Sequence, residues 1–165
     1  MLNKIMKYKF EVFVLLTAVL VTFTISRNIV VVEVDGNSMS PTYEDGDVAL
    51  MKKSSKKERD SIVIFNSPRE WGSEERMFIK RLVGVSGDTI KIKNNNLIRN
   101  GEVIANIEKR NCEDVSTITI PEGYFFAVGD NHGNSKDSLT KLCQNENFLV
   151  EEERVVAVGK PFTIN

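Results

Sequence analysis

The stretch that decides the fold reads MFIKRLVGVSGDTIKIK over residues 77–93. Its apolar residues recur in short runs or at every second position, and Gly87-Asp88 divides the stretch in two. This spacing is typical of β-strands, because successive side chains of a strand point to opposite faces of a sheet. Similar spacing is found in IVVVEV (29–34), SIVIF (61–65) and YFFAVG (124–129). The sequence therefore predicts a mostly β body.

Turn residues between the predicted strands indicate how the strands connect. Asn100-Gly101 stands between LIR and EVI, and this dipeptide favours a type I′ hairpin turn. No helical pattern of convincing length follows residue 28. We therefore expect a mostly antiparallel, curved set of sheets.

The composition excludes several classes of protein. The 165 residues include 22 basic and 23 acidic side chains, so the net charge of -1 does not indicate a nucleic-acid partner. One histidine and two cysteines make a metal site improbable, and we expect no metal and no cofactor. Cys112 and Cys143 could form a disulfide or remain two buried thiols, and the sequence leaves both open.

An apolar segment lies near the amino terminus. Residues 12–25 read VFVLLTAVLVTFTI without a charge, and residues 1–9 carry three lysines and no acid. A buried core helix would show a polar stripe, and a cleaved signal peptide would end in a small-x-small site. Because neither is present, we expect an uncleaved transmembrane anchor over residues 10–27. The lysines predict residues 1–9 in the cytoplasm and residues 28–165 outside the membrane.

Two segments carry residue types suited to serine-protease chemistry. Ser38 lies in GNSMSPTYEDGD (36–47), where Gly36 would let a substrate strand approach closely. The sole histidine, His132, lies in a loop-like stretch without an obvious acid to orient it. Lys80 stands on a predicted strand among apolar residues, and burial lowers the pKa of a lysine enough to make it a general base. Neither a Gly-x-Ser turn nor a strand lysine is specific by itself.

Five segments together resemble, in order, the motifs of the bacterial type I signal peptidase family (signal peptidase I, or leader peptidase). They are GNSMSPTYEDGD (36–47), RDSIVIF (59–65), FIKRLVGVSGD (78–88), IPEGYFFAVGDNHGNSKDS (120–138) and ERVVAVGKPF (153–162). With the anchor, the likeness spans nearly the whole chain, and residues 89–119 form its variable hairpin region. The resemblance implies a β-rich catalytic domain of antiparallel sheets behind a single transmembrane helix.

The resemblance implies a role for each matching residue of the site. Ser38 would be the nucleophile, its backbone N–H would be one oxyanion donor, and Lys80 would be the general base. Ser135 would hydrogen-bond to the lysine amine and orient it. Asp137 and Asp130 would brace the loop that carries Ser135.

The resemblance also implies the substrates, which are exported pre-proteins cut after small-x-small sites. The signal peptide region would bind as an extended strand beside Gly36 and Met39, and the lipid bilayer would be the other partner. Gly36 stands where some members have a serine hydroxyl as a second oxyanion donor. Three aromatic residues are either candidates for contact with lipid or substrate or simply core residues, namely Phe65, Trp71 and Phe78.

The chain departs from the family pattern in the loop around Ser135. The family usually has arginine where His132 stands and again where Leu139 stands. The second arginine normally pairs with an acid such as Asp137. We therefore expect Lys136 or Lys141 to pair with that carboxylate instead.

Two other functions compete with secretory signal-peptide cleavage. A self-cleaving repressor-type Ser–Lys protease would carry a DNA-binding domain where this chain has its apolar segment. An accessory signal-peptidase-like protein for pilus assembly, dedicated to pilin substrates or acting as a non-cleaving chaperone, stays open because residues 132–143 depart from the family pattern. The presence of both Ser38 and Lys80 favours an active enzyme.

Overall fold

The structure is a computed structural model whose described residues are 2–53, 57–72, 76–160 and 163–164. One long helix, α1 (Leu2–Asn28), precedes a body in which every described strand pairing is antiparallel. The predicted fold class, mostly β behind one amino-terminal apolar helix, is confirmed. Met1 of the predicted tail and residues 161–162 of the last motif lie outside the described residues.

Helix α1 has the properties of a membrane-spanning segment. Its part from Met6 to Asn28 is long and apolar enough to cross a membrane, and no other part of the described chain covers it. The hydroxyls of Thr22 and Thr24 donate to the carbonyls of Ala18 and Leu20, four residues earlier. Such bonds satisfy polar side chains within the helix itself, which suits an apolar environment.

The described residues of the body form three sheets. The first consists of β1 (Ile29–Glu33), β2 (Val48–Lys52) and β12 (Thr163–Ile164), in that order. The second has the order β10 (Val150–Glu151), β9 (Tyr124–Val128), β4 (Met77–Gly84), β3 (Ile62–Asn66) and β11 (Val155–Gly159). The third has the order β7 (Glu102–Asn106), β6 (Asn96–Arg99), β5 (Thr89–Lys93) and β8 (Val115–Thr119). The third sheet is thus the variable region at 89–119.

The hairpin predicted at Asn100-Gly101 is confirmed. Arg99 at the end of β6 lies opposite Glu102 at the start of β7. The two turn residues have φ angles of 53° and 87°, in the left-handed region that a type I′ turn requires at both positions.

Strand β3 is buried on both faces, and this fixes its neighbour β4 in the centre of the molecule. Ile62 and Ile64 pack into one cluster, and Val63 and Phe65 pack into another on the opposite face. The second cluster also contains Trp71, Leu82, Phe125, Ala127, Val150 and Val158. A fully buried Val, Leu, Ile or Phe side chain contributes about 1.5–3 kcal/mol to folding. Phe65 and Trp71 are therefore core residues, and the prediction that they contact lipid or substrate is wrong.

A short helix, α2 (Ser138–Cys143), was not expected from the sequence. The Asp137 side chain caps its first turn by accepting the N–H of Thr140 at 2.9 Å. Six residues are too few to show a helical period, which explains why the pattern gave no signal. The described part of the chain also has 3₁₀ turns at Arg69–Trp71, Glu108–Arg110 and Glu152–Arg154. The two cysteines form a disulfide between Cys112 and Cys143.

Candidate active site

The loop between β1 and β2 carries Ser38. Gly36 has φ of 83°, in the left-handed region, and its N–H donates to the Asp45 carboxylate at 2.7 Å. The carbonyl of Ser38 accepts the N–H of Asn131 at 3.0 Å, and the Asn131 side-chain amide donates to the carbonyl of Asn37. The serine loop is therefore fixed by a hydrogen bond within the loop, from Gly36 to Asp45, and by hydrogen bonds from Asn131 in the segment after β9.

Met39 occupies a different place from the one predicted. Its side chain is completely buried and packs in the cluster that contains Tyr43, Ile62 and Ile64. The prediction that Met39 contacts substrate is wrong, because this side chain anchors the loop to the core. Gly36, in contrast, lines the open cleft beside Ser38.

Lys80 projects from β4, the central strand beside β3. It lies opposite Val63 in the strand register and is only 4% exposed. Its Nζ lies 2.6 Å from the Ser38 Oγ and donates to the carbonyl of Ile79 at 2.9 Å. The Phe78 ring centroid is 5.4 Å from the same nitrogen. The amine is thus enclosed, and its polar neighbours within hydrogen-bond distance are a hydroxyl and a carbonyl.

Burial lowers the pKa of Lys80 from 10.5 to about 8. Removal from water is the largest cause, because it disfavours the ammonium form. The nearby Asp137 charge acts in the opposite direction, the Arg110 charge lowers the pKa further, and Asp130 raises it. In the described part of the chain no carboxylate forms an ion pair with Lys80. At neutral pH about one tenth of the amine is therefore uncharged.

An open cleft of about 440 Å³ lies over this pair of residues. Side chains of β1, β3 and β4 form its walls, and the serine loop and the loop before α2 form its rim. Its lining includes Val32, Ile64, Phe78, Ile79 and Ser135. Phe78 remains a candidate for contact with substrate, since it lines this cleft and is only partly buried.

Ser135 lies beside the same cleft but does not make the predicted hydrogen bond. Its hydroxyl is buried and has no hydrogen-bond partner among the described residues. Gly129 packs against it so closely that a Cβ on this glycine would collide with the Ser135 side chain and with the carbonyl of Ser38. The structure therefore places Ser135 near the serine and lysine without joining it to the amine.

Asp130 braces the segment after β9 through Arg81. The guanidinium of Arg81 binds both carboxylate oxygens of Asp130, at 2.7 and 2.6 Å, and donates to the carbonyl of Asp60. Thr42, from the serine loop, also donates to Asp130. Because a two-pronged ion pair fixes orientation as well as distance, the contact links the serine loop to the neighbouring strand.

Asp137 is completely buried, and its partner is not the one predicted. One carboxylate oxygen accepts the N–H of Gly129 at 2.9 Å and a guanidinium N–H of Arg110 at 2.7 Å. The prediction of Lys136 or Lys141 as partner is wrong, and Lys141 instead pairs with Glu146. Sequence reasoning missed Arg110 because it lies 27 residues away, in the variable region.

The two positions that depart from the family pattern lie away from the reacting groups. Leu139 is completely buried and packs in the core of the third sheet. His132 lines a separate cavity with Arg81 and Asp130, and burial lowers the pKa of its imidazole. It does not line the cleft that contains Ser38. Among the described residues no cluster of three or more His, Cys, Asp or Glu side chains could hold a metal ion.

Comparison with known proteins places these features in a family. The family described as signal peptidase, peptidase S26, matches residues 6–159. The chain belongs to the signal peptidase family. A signal peptidase I of Bacillus amyloliquefaciens is 33% identical, over 77% of this chain and 69% of its relative. Signal peptidase I T of Bacillus subtilis (strain 168) is 31% identical over 77% of this chain and 69% of that protein.

A solved structure is also similar to this signal peptidase. It is a signal peptidase I from Enterococcus faecalis V583, which is 28% identical, with a TM-score of 0.47. The match covers 62% of this chain and 96% of that chain. Membership of the family confirms the resemblance seen in the motifs, and it supports a peptidase that cleaves the signal peptides of exported pre-proteins.

Proposed function

We propose that this signal peptidase is a membrane-anchored serine endopeptidase in which Ser38 is the nucleophile and Lys80 the general base. One observation carries the proposal. A lysine amine that is 4% exposed lies 2.6 Å from a serine hydroxyl at the floor of an open cleft. A buried amine and a hydroxyl in contact are the requirements for nucleophilic catalysis without histidine.

The first chemical step is attack of Ser38 on the scissile carbonyl. The neutral amine of Lys80 accepts the hydroxyl proton as the Oγ–C bond forms, so the negative charge moves to the substrate oxygen. The carbonyl of Ile79 accepts one N–H of the amine at 2.9 Å and so keeps its lone pair directed at Ser38. The Ile79 carbonyl therefore orients the amine, without a hydrogen bond from Ser135.

The negative oxygen needs a donor, and the backbone N–H of Ser38 is available. Within the described residues this N–H donates to no other group. Gly36 has no side chain to offer a second donor, and a Cβ at this position would meet nothing within 4 Å. One missing donor costs about 10²–10³ in rate. We therefore expect a substrate or solvent group to share the stabilisation of the oxyanion.

The remaining steps return the proton and release the products. The Lys80 ammonium donates its proton to the leaving amine, and the C–N bond breaks to leave an acyl group on Ser38. A water molecule then attacks this ester, and the neutral Lys80 accepts its proton. The C–Oγ bond breaks, and the Lys80 ammonium returns the proton to the Ser38 oxygen. The mature protein and the signal peptide leave in turn, and the enzyme returns to its starting state.

The cleft accounts for a substrate bound in extended form with small residues before the cut. Its walls are strands, which can pair with an extended chain through main-chain hydrogen bonds. Val32, Ile64, Phe78 and Ile79 line the cleft near Ser38. These apolar walls support the proposal that the substrate carries small residues before the cut.

Helix α1 places the cleft close to the bilayer in this proposal. Residues 10–27 would span it, residues 1–9 would lie in the cytoplasm, and residues 28–165 would form the extracytoplasmic catalytic domain. β1 begins directly after α1, and Ser38 stands ten positions after Asn28. An extended chain of that length reaches at most about 35 Å. The nucleophile therefore stays near the surface from which a signal peptide emerges.

The arginine that pairs with Asp137 bears on the alternative of a non-cleaving accessory protein. That alternative rested on the missing arginine at position 139 and the altered loop around it. Arg110 supplies a guanidinium to the same carboxylate, at 2.7 Å. The contact supports an active enzyme, whose substrates are either secreted pre-proteins in general or a few pilin-like proteins.

A direct test uses the full chain solubilised in detergent and incubated with a radiolabelled pre-protein. We expect a shorter product whose new amino terminus, read by sequencing, follows a small-x-small site. Ser38→Ala should bind the pre-protein and leave it intact. Binding without cleavage by the wild-type chain would contradict the enzyme and favour the chaperone.

The lowered pKa of Lys80 predicts an alkaline rise in activity. Only the neutral amine accepts a proton, so kcat/KM should increase as pH rises through about 8, the pKa of this group. Below pH 7 the rate should fall about tenfold per unit, because the neutral fraction falls by that factor. The measurement is kcat/KM for a signal-peptide substrate between pH 5 and pH 10. An optimum below pH 6 would contradict Lys80 as the base.

A further inference from the structure

A buried ion pair joins the variable third sheet to the loop beside the cleft. The Arg110 side chain is 7% exposed and the Asp137 side chain is completely buried. Arg110 belongs to the 3₁₀ turn Glu108–Arg110, which follows β7, whereas Asp137 immediately precedes α2. The two residues therefore come from different parts of the fold.

Arg110 makes more contacts with this loop than the ion pair alone. One guanidinium nitrogen donates to the carbonyl of Ser135 at 2.8 Å and to the hydroxyl of Thr140. The other donates to Asp137 at 2.7 Å. The planar guanidinium thus fixes both ends of the segment 135–140, which a single point charge could not do.

The contacts continue from this segment to the reacting groups. The carboxylate oxygen that binds Arg110 also accepts the N–H of Gly129. Gly129 in turn packs against the carbonyl of Ser38 and the side chain of Ser135. A shift of Asp137 would therefore move the groups that hold Ser38 in place beside Lys80.

The disulfide holds Arg110 in position. Cys112, two residues after Arg110, is bonded to Cys143, the last residue of α2. Asp137 caps the other end of the same helix. Both ends of α2 are thus tied to the Arg110 segment, one by an ion pair and one by a covalent bond.

We propose that Arg110 is a positioning residue for peptide cleavage, held by the Cys112–Cys143 disulfide in the turn between β7 and β8. The inference rests on the proposed function, because the reacting groups it positions are Ser38 and Lys80.

The charge of Arg110 also affects the base. The charged groups near Lys80 are Asp137, Arg110 and Asp130, and of these only Arg110 favours the neutral amine. Its removal leaves Asp137 as an unopposed negative charge, which favours the ammonium. The midpoint of the pH–activity curve should therefore move upward when Arg110 is lost.

The test compares Arg110→Ala and Arg110→Lys with Lys109→Ala, which removes an exposed charge from the same turn. For each full-length variant in detergent we measure kcat/KM from pH 6 to pH 10, the thermal unfolding midpoint, and the titration of Lys80 Nζ by ¹⁵N NMR. Lys80→Met assigns the NMR signal.

We expect Arg110→Ala to lower kcat/KM at pH 8 by at least about tenfold and to raise both midpoints, kinetic and spectroscopic. Arg110→Lys should keep the ion pair and the fold, and should recover part of the activity without full recovery, since lysine cannot bind Ser135 and Asp137 together. Lys109→Ala should match the wild type in every measurement.

Two results would overturn the proposal. The first is an Arg110→Ala variant whose kcat/KM and Lys80 titration midpoint equal those of the wild type. The second is a loss of activity in Arg110→Ala that the fraction of unfolded protein explains in full. If the wild-type chain cleaves no pre-protein, the proposed function fails. The Lys80 titration then decides the positioning role separately, because a raised midpoint in Arg110→Ala supports it and an unchanged midpoint overturns it.

A variant without the disulfide tests the second part of the proposal. Cys112→Ser combined with Cys143→Ser should shift kcat/KM and the Lys80 midpoint in the same direction as Arg110→Ala. In the Arg110→Ala background the same change should have little further effect, because the disulfide acts by holding Arg110. Independent, additive effects would overturn this link.

Discussion

Replacement of Lys80 by methionine is expected to abolish cleavage while the fold persists. Without the amine, Ser38 has no group to accept its proton, so kcat/KM should fall by at least about 10³-fold. Methionine has nearly the same length and shape, and it suits an environment that leaves only 4% of Lys80 exposed. The measurement is cleavage of a signal-peptide substrate, together with the free energy of unfolding.

The free energy of unfolding of Lys80→Met shows whether Lys80 acts as a base or stabilises the fold. A lysine whose pKa is lowered from 10.5 to about 8 costs the folded state about 3 kcal/mol at neutral pH. Methionine removes this cost, so we expect unfolding free energy equal to or above that of the wild type. Lys93→Met, on the exposed end of β5, is the matched control and should keep full activity. Substantial cleavage by Lys80→Met would show that another group is the base.

Replacement of Gly129 by alanine is expected to displace Ser38 or Ser135, both of which pack against this glycine. A Cβ there would lie 2.5 Å from the carbonyl oxygen of Ser38 and even closer to the Ser135 hydroxyl. One of these neighbours is backbone, so the serine loop or the Ser135 segment must move. We expect Gly129→Ala to destabilise the fold by about 1–3 kcal/mol and to lower kcat by about 10²-fold.

Gly133→Ala provides the control in the same loop. The nearest atom to a Cβ at Gly133 is 3.5 Å away, in the flexible side chain of Lys109, so this change should be tolerated. Cleavage assays at 25 °C, with thermal unfolding of both variants, separate a displaced site from an unfolded chain. Equal activity of Gly129→Ala and Gly133→Ala would show that the contact behind Ser38 does not constrain the nucleophile.

The strands could be predicted because their signals are local. Alternation in FIKRL sets Lys80 on the face of β4 with Phe78 and Leu82. The Asn100-Gly101 hairpin likewise follows from the left-handed conformations that these two residues adopt readily. The contact between Lys80 and Ser38, which stands 42 positions earlier, could not be predicted from these two residues alone. That prediction came from the order of the five motifs.

The supporting contacts could not be predicted because they depend on the packing of distant segments. Arg110 stands in a stretch without periodicity, and nothing near it indicates Asp137 as a partner. The same holds for Cys112 and Cys143, whose pairing depends on how α2 packs against the third sheet. For Met39 a signal existed: an apolar side chain among polar loop residues is often buried to anchor the loop.

Two parts of the fold hold the residues of the candidate site: the central strands of the second sheet with the serine loop, and the turn after β7. β4, paired with the doubly buried β3, fixes Lys80, while the serine loop is held through Asn131 and Thr42. The third sheet, at 89–119, leads to the turn that carries Arg110.

Titration of the Lys80 side chain in the active, full-length protein tests the central claim most directly. With ¹⁵N-labelled lysine, the Nζ signal that is missing in Lys80→Met should titrate with a midpoint of about 8, and kcat/KM should rise with the same midpoint. A signal that stays protonated up to pH 10 while cleavage proceeds at pH 8 would contradict an uncharged amine as the base.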